Sequence, residues 1–488
     1  MPAISYREFS GGLDRRLPIG VQDANRLWTL TNAYVTAGHK IAKRPGLSLS
    51  SGVLTGSVGL ASLNGQLVVF VEDGSGFSPP AGLAVIALSR VPNGDDTYAV
   101  LEDVLYAENF QGYPYVVAQY YGAYTDGSGI IRRGTIYRHH YVDGGASTLI
   151  ADINCPRTGS VTKAASRIFA IGDDVVRYCA AGAARDWTTA DDAGFLPVSL
   201  QQDTRGDPTA VGTFEDALVV FFADGSQVWD VAVDPSANQI RRRLSGVGTL
   251  HPQSLSAFYR DLVFASPFGA RSMSVQENVE RIDETDVGVP IDKVLVPVQK
   301  THATTSSMPV RGRWLQQFGQ YWLTYATDSG STVFAYSFSK SSKLACWSTY
   351  TLPVAISGMA TLNGATYLRD AGSLYEVAED AHTDNGTLIP VDVQMAFQDA
   401  KSPGVEKMFY GADYVFSGTA TVSYLYDPHE PARETIPQTV TGDTRAQTLV
   451  PVEISSAAIA PRFRHQADEA FSLDLATLYF HTLSASAG

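Results

Sequence analysis

The sequence predicts an all-β protein, and three observations support that prediction. Aromatic residues are plentiful, with 24 Tyr and 21 Phe, and 43 Gly residues supply many turns. Short apolar runs recur in pairs around tight turns along most of the chain. Toward the carboxyl end, strict alternation of apolar and polar residues takes over, as in VDVQMAF. Together these patterns predict many short strands.

The best-defined pair of strands lies at Asp216–Ala232, DALVVFFADGSQVWDVA. The apolar run Leu218–Phe222 is too short for a buried helix and fits a strand that is buried on both faces. Asp224-Gly225 supplies the residue types that a tight hairpin turn needs. Trp229 stands just before an aspartate, and we expect it in the core rather than at a functional site.

Seven such units follow one another in residues 51–385, with starts spaced roughly 44–60 residues apart. This spacing is typical of β-propeller blades, so we expect a propeller of six or seven blades. A stacked solenoid would have a tighter period, and paired sandwiches would have strands every 8–12 residues or so without a longer period. The predicted turns are Asp73-Gly74, Asp126-Gly127, Gly172-Asp173, Asp224-Gly225, Phe268-Gly269, Asp328–Gly330 and Ala371-Gly372.

Two further segments flank the propeller. Residues 1–50 are expected to form a separate N-terminal β extension that serves as an attachment segment, with a local basic cluster. Residues 386–488 alternate at short spacing with Pro and Gly breaks, which predicts a C-terminal β-sandwich. The stretch TDNG at Thr383–Gly386 is expected to be the linker that separates this domain from the propeller.

The net charge of −14 argues against tight non-specific binding of DNA or RNA. It is compatible with a role in which DNA passes the protein without sticking. The segment Glu277–Asp292 contains six acidic residues and one basic residue. It is interpreted either as a solvated loop or as an acidic lining that faces a polyanion or a partner.

The three cysteines lie far apart, which predicts reduced thiols in a cytosolic protein rather than a disulfide framework or a zinc site. The N-terminus resembles no signal peptide, and no apolar run reaches the length of a membrane span.

Neither a nucleophile elbow, a P-loop, a zinc-protease motif nor a dinucleotide-binding motif is present. His139 and His140 would point to opposite faces of a strand. We therefore predict no catalytic residue, no cofactor and no metal ligand.

Two stretches near the N-terminus carry a family resemblance. FSGGLD at Phe9–Asp14, followed by LTNAYVTAGHKIAKRPG at Leu30–Gly46, resembles the start of the tail nozzle proteins of short-tailed bacteriophages, also called tail tubular or tail-stabilisation proteins. VGTFEDALVVFFADGSQVWDV, in the middle of the chain, is similar to a hairpin of the same family. The last hundred residues are similar in texture to the sandwich domains that end many of these chains.

The resemblance implies a structural protein of the virion tail, assembled in the host cytoplasm. It implies a homo-hexamer at the distal end of the tail, bound to the adaptor ring below the portal, which encloses the channel for genome ejection. Further implied partners are tail fibres or spikes and a plug. Genomic DNA would pass without specific binding, and no membrane span is expected. The candidate adaptor or ring interface is Asn32, Tyr34, Lys43, Arg44, Pro45 and Gly46. The candidate channel-lining or gate residues are Glu277, Glu280, Asp283, Glu284 and Asp286.

Two other functions stay open at this point. Propellers readily host carbohydrate sites, so the chain could bind or cleave glycans on a host surface. Paired carboxylates for such a reaction are available in any acidic protein, and no spacing in this sequence selects a pair. A general scaffold for protein partners is the third reading.

Overall fold

The computed structural model describes residues 2–93, 96–125, 128–201, 206–258, 260–275, 286–430, 432–445 and 448–483. Strands dominate this part of the chain, as the sequence predicts. Six strands lie in the first 51 residues: β1 (Ala3–Arg7), β2 (Gly12–Leu13), β3 (Arg26–Thr31), β4 (Ala33–Val35), β5 (Ile41–Lys43) and β6 (Gly46–Ser51).

Successive sheets then form the blades of a propeller. Blade 1 contains β7 (Val58–Leu63), β8 (Gln66–Glu72) and β9 (Leu83–Leu88). Blade 2 contains β10 (Val100–Phe110), β11 (Tyr113–Thr125), β12 (Ile131–Asp143) and β13 (Ala146–Leu149). Blade 3 contains β14 (Val161–Ala164), β15 (Arg167–Gly172), β16 (Val175–Tyr178) and β17 (Gly194–Leu196). Blade 4 contains β18 (Ala210–Phe214), β19 (Ala217–Phe221), β20 (Gly225–Asp230) and β21 (Gln239–Ser245).

The remaining blades follow the same pattern. Blade 5 contains β22 (Ser256–Phe258), β23 (Asp261–Ser266) and β24 (Gly269–Ser272). Blade 6 contains β25 (Arg311–Leu315), β26 (Gln320–Thr327), β27 (Gly330–Ser339) and β28 (Leu344–Leu352). Blade 7 contains β29 (Gly358–Leu362), β30 (Ala365–Arg369) and β31 (Leu374–Ala378), with β6 as its fourth strand.

The first strand of every blade contributes side chains or backbone to one shared central cavity. Seven sheets therefore surround a common axis in the described residues, which is the arrangement of a β-propeller. The sequence-based expectation of a propeller with six or seven blades is confirmed, and the described part of the chain forms seven.

Six of the seven predicted hairpins are confirmed, each as the second and third strands of a blade. Strand β19 is buried at all five positions, and Trp229 on β20 lies in the core with 5% of its surface exposed. The turn residues Asp126-Gly127 of blade 2 lie outside the described residues. The hairpin expected at Asp73-Gly74 is wrong, because β9 runs parallel to β8 after a longer connection that contains Pro79-Pro80.

The propeller is closed by strand β6 from the N-terminal part of the chain. β6 pairs antiparallel with β31, so that Leu47 lies opposite Val377. The same strand pairs in parallel with β32, where Asp384 lies opposite Leu47. Blade 7 is thus completed by residues more than 300 positions away in the sequence, which ties both ends of the propeller together.

The remaining strands are β32 (Thr383–Asp384), β33 (Thr387–Leu388), β34 (Val391–Met395), β35 (Lys407–Ser417), β36 (Thr419–Leu425), β37 (Gln438–Thr441), β38 (Val450–Ser456), β39 (Ala460–His465) and β40 (Ser472–Thr482). One sheet has the order β38-β35-β40-β5-β4, with β1 also paired to β40. The other continues from blade 6 in the order β28-β3-β34-β39-β36-β37, with β2 beside β3.

These two sheets share a core in which the rings of Tyr414 and Phe463 lie 5.1 Å apart. Strands of the first 50 residues belong to both sheets. A separate role for this N-terminal β extension as an attachment segment stays a prediction. The expected linker at Thr383–Gly386 is a short hairpin, β32–β33, in the sheet of blade 7. A β-sandwich built from residues 386–488 alone stays a prediction.

The α-helix α1 (Asp292–Thr305) was not predicted. It contains Pro297 and buries Leu295, Gln299 and His302. Short 3-10 turns occur at Ser199–Gln201, Pro235–Ala237, Pro252–Ser254 and Val289–Ile291. Among the described residues, no helix has the length and apolar character needed to cross a membrane.

Candidate functional site

The predicted interface residues meet at the junction of the N-terminal strands, blade 6 and the strand β32. Arg44 is buried there, and its two terminal nitrogens donate to Oδ1 and Oδ2 of Asp384 at 2.8 and 2.5 Å. Its Nε donates to Oδ1 of Asn32 at 3.0 Å, and Nη2 also donates to the carbonyl oxygen of Thr351 at 3.0 Å. This planar fork satisfies a buried carboxylate with two parallel bonds.

Asn32 completes the junction. Its Nδ2 donates to Thr351 Oγ1 at 2.8 Å and to the carbonyl oxygen of Pro390 at 2.9 Å, while its Oδ1 accepts from the backbone nitrogen of Thr351 at 2.9 Å. The backbone of Asn32 has a φ of 54°, a left-handed conformation that Asn tolerates better than most residues. One buried amide therefore joins the N-terminal segment to blade 6 and to the start of β34.

The neighbouring motif residues are also used within the chain. Lys43 Nζ donates to the carbonyl oxygens of Ala467 and Glu469 at 2.7 and 3.2 Å, and burial lowers the Lys43 pKa to about 8. A Cβ atom on Gly46 would lie 2.2 Å from the carbonyl oxygen of Thr383, so only glycine fits beside that strand. Tyr34 is partly buried against the core of blades 6 and 7.

The six predicted interface residues lie on or beside the β4–β5 hairpin and at the start of β6. A side-chain contact joins Arg44 to Asn32. Asn32, Lys43 and Arg44 are buried by this chain's own strands and offer no free surface to an adaptor. The family resemblance suggested them as an interface, and the sequence alone does not reveal the distant partner that a buried charge needs. Contact of the surrounding surface with a ring neighbour stays a prediction.

Four of the predicted channel-lining residues, Glu277, Glu280, Asp283 and Glu284, lie outside the described residues. Asp286 is buried, with 2% of its surface exposed, and accepts hydrogen bonds from the backbone nitrogens of Ser272 and Val287 at 3.2 and 2.7 Å. Its Oδ2 lies 3.9 Å from Nε of Arg271. Asp286 therefore faces the interior of the chain.

The central cavity has a volume of about 680 Å³. Apart from Leu262 on β23, its lining residues come from the first strand of each blade or the residues just before it: 60–62, 104–108, 159–163, 211–213, 252–253, 255, 257, 311–313, 358–359 and 361. Four of them are charged: Glu108, Lys163, Arg311 and Arg313. Sequence reasoning missed these four residues, because their meeting depends on the closure of the ring.

Two ion pairs cross from blade to blade at this cavity. Arg311 of blade 6 donates to Oδ2 of Asp103 in blade 2, and Lys163 Nζ lies 3.4 Å from Oε1 of Glu108. Burial raises the pKa of Asp103, and the nearby Arg311 guanidinium opposes that rise. Lys163 and Glu108 are 39% and 50% exposed at their side chains, so this end of the cavity is open to solvent.

Arg313 differs from the other charged lining residues. Within the part of the chain that the structure describes, its guanidinium makes no hydrogen bond or ion pair, and Glu108 is the charge that acts on it electrostatically. Burial lowers the pKa of Arg313 below its usual range, and Glu108 opposes this shift. The side chain of Arg313 lines the cavity and is partly exposed.

The local sequence Arg311-Gly312-Arg313 explains this placement. Alternate residues of a strand point to the same face, so both arginines are directed to one side of β25. A Cβ atom on Gly312 would lie 2.0 Å from the carbonyl oxygen of Ser254, which shows how closely β25 passes blade 5. The glycine permits the inner strands to approach, and the two arginines are thereby held at the cavity.

Two carboxylates, Asp103 and Glu108, lie at or near the cavity on the same strand. Asp103 and Glu108 lie five positions apart on β10, about 16 Å along an extended strand. Paired catalytic carboxylates of glycosidases are about 5–9.5 Å apart. Among the described residues, no group of three or more His, Cys, Asp and Glu side chains could hold a metal ion.

No protein-family model matches the sequence, and no curated protein matches it significantly. Among solved structures, the chain is similar to the WD40 domain of Pan2 from Neurospora crassa, at 8% identity and a TM-score of 0.32, over 57% of this chain and 89% of that one. It is also similar to BamB from Moraxella catarrhalis, at 11% identity and a TM-score of 0.35, over 68% and 96% of the two chains. Likeness at this level says nothing about what the chain binds or does.

Proposed function

We propose that the chain is a structural subunit of the distal tail nozzle of a short-tailed phage, where copies form a ring around the channel for genome ejection. The observation that supports this most is the position of the motif residues. Asn32, Arg44 and Gly46, which carry the family resemblance, lie at the junction where the N-terminal strands close the propeller. Motif residues that hold a fold together are what a structural family is expected to share.

In this proposal, DNA passes between subunits rather than through a single propeller. The cavity of about 680 Å³ is bordered by the ion pairs of Arg311 and Lys163. A sphere of that volume would be roughly 11 Å across, which is narrower than the major groove of duplex DNA alone, about 12 Å wide. A ring built by repeating one heterologous interface provides a wider lumen.

The charge of the chain fits this role. A net charge of −14 per subunit becomes a strongly negative ring when several copies assemble. Such a wall repels the phosphate backbone and keeps DNA from forming lasting contacts. Docking to the tail adaptor, to fibres or spikes and to a plug, and assembly in the host cytoplasm, belong to the same proposal.

The test is to purify the particles of the phage that encodes this chain and to analyse them by mass spectrometry and antibody labelling in the electron microscope. The proposal expects the chain in the particles, with the label at the end of the tail. Particles that lack the chain would contradict it. Specific glycan binding by the purified chain, combined with its absence from particles, would instead support the carbohydrate-directed function.

A further inference from the structure

We propose that the central cavity binds an oxyanion, a carboxylate or a phosphate group, through the guanidinium of Arg313. This inference does not depend on the proposed nozzle function. Four charged side chains line the cavity, and their contacts within the chain differ.

Three of the four charges already have partners in the chain. Arg311 is paired with Asp103, and Lys163 lies 3.4 Å from Glu108. Lys163 also donates to the carbonyl oxygen of Asn109 at 3.1 Å. These contacts hold the neighbours of Arg313 in place. Among the described residues, no group accepts a hydrogen bond from the guanidinium of Arg313 itself.

Arg313 is partly exposed and lines the cavity, so its side chain is accessible to a solute that enters there. Arginine offers five N–H donors in a planar fork, and its preferred partners are the paired oxygens of carboxylates and phosphates. The guanidinium of Arg313 has no such partner among the described residues, although the cavity gives space for one. An oxyanion bound there would accept hydrogen bonds from this guanidinium.

The charges around the cavity favour an anion as well. The cations Lys163, Arg311 and Arg313 lie against two carboxylates, Asp103 and Glu108, so this region is positive within a chain of net charge −14. A volume of about 680 Å³ falls within the range of small-molecule sites, roughly 300–1,000 Å³. The open end at Lys163 and Glu108 gives an anion a route to Arg313.

The test is isothermal titration calorimetry of the full chain with inorganic phosphate and, separately, with succinate, at constant ionic strength. Wild-type protein is expected to bind at least one of the two. Arg313→Gln should weaken that binding at least tenfold, whereas Arg7→Gln, a change of an exposed arginine on β1, should leave it within twofold. Binding of phosphate alone assigns a phosphate ligand, and binding of succinate alone assigns a carboxylate ligand.

A second variant keeps the test decisive if Arg313→Gln does not fold. Glu108 is an exposed carboxylate that acts on Arg313, so Glu108→Gln removes a competing negative charge. This change should tighten oxyanion binding severalfold, which a merely structural role for the pair would not do. The proposal is wrong if wild-type protein binds neither anion, if Arg313→Gln binds as wild type does, or if Glu108→Gln fails to tighten binding.

Discussion

Replacing Arg44 by methionine should destabilise the chain strongly, because Asp384 would then be buried without its cation. Asp384 is 5% exposed, and both of its oxygens accept from Arg44. Loss of one partner of a buried ion pair typically costs about 3–5 kcal/mol. The three further bonds from Arg44 to Asn32, Pro45 and Thr351 place the expected loss at the upper end of that range.

Urea denaturation followed by tryptophan fluorescence measures this change as a lower transition midpoint. The double variant Arg44→Met with Asp384→Leu removes both charges and should recover much of the lost stability. Arg445→Ala breaks an exposed pair with Asp443 and serves as the control, with an unchanged midpoint. A loss below about 1 kcal/mol for Arg44→Met, or a double variant no more stable than the single one, would refute the junction as described.

Three further predictions concern packing, pH and thiol reactivity. Gly312→Ala should lower the free energy of unfolding by about 1–3 kcal/mol or more, because its Cβ would lie 2.0 Å from a backbone oxygen. Gly52→Ala, with open space around it, is the control and should leave the urea midpoint unchanged. Equal midpoints for the two variants would contradict the close approach at Gly312. Burial lowers the pKa of His139 to about 4 and of His140 to about 3, so below pH 6.5 or so the unfolded chain binds protons that the folded chain excludes. The urea midpoint should therefore be highest above this value and should fall as pH falls from 6.5 toward 4, and a midpoint that does not fall would count against neutral buried histidines. Burial raises the pKa of the Cys346 thiol to about 12, so a thiol reagent at pH 8 should label Cys346 only after denaturation, and rapid labelling of the native chain would disagree.

Six of the blades were predictable because each contains a local hairpin signal. Two apolar runs around a short turn specify a hairpin such as β19–β20 without any distant contact. The closing strand β6 carries no such signal, since its pairing with β31 joins residues 47 and 377. The parallel pairing of β8 and β9 also escaped the sequence, because Asp73-Gly74 has the composition of a hairpin turn.

The helix and the mixed sheets were missed for similar reasons. Pro297 interrupts the helical pattern of α1, and two of the three residues on its buried face, Gln299 and His302, are polar. The pairing of β1 and β5 with β40 joins the two ends of the chain, and neither end contains a pattern that names its partner. Pairings of this kind depend on the whole fold.

The candidate sites show the same limit for charged residues. Arg44 was placed by sequence on an interface, and the structure buries it against Asp384. Arg313 drew no attention in the sequence, although the glycine between two arginines was a usable signal of a strand in close contact with a neighbouring blade. A charge reveals its role only when its surroundings are known.

A three-dimensional reconstruction of the phage tail by electron cryo-microscopy tests the central claim most directly. The proposal predicts six copies of this chain related by rotation at the distal end of the tail, with their propellers around a lumen wide enough for duplex DNA. A distal ring built without this chain, or a single copy of the chain away from the lumen, would contradict it.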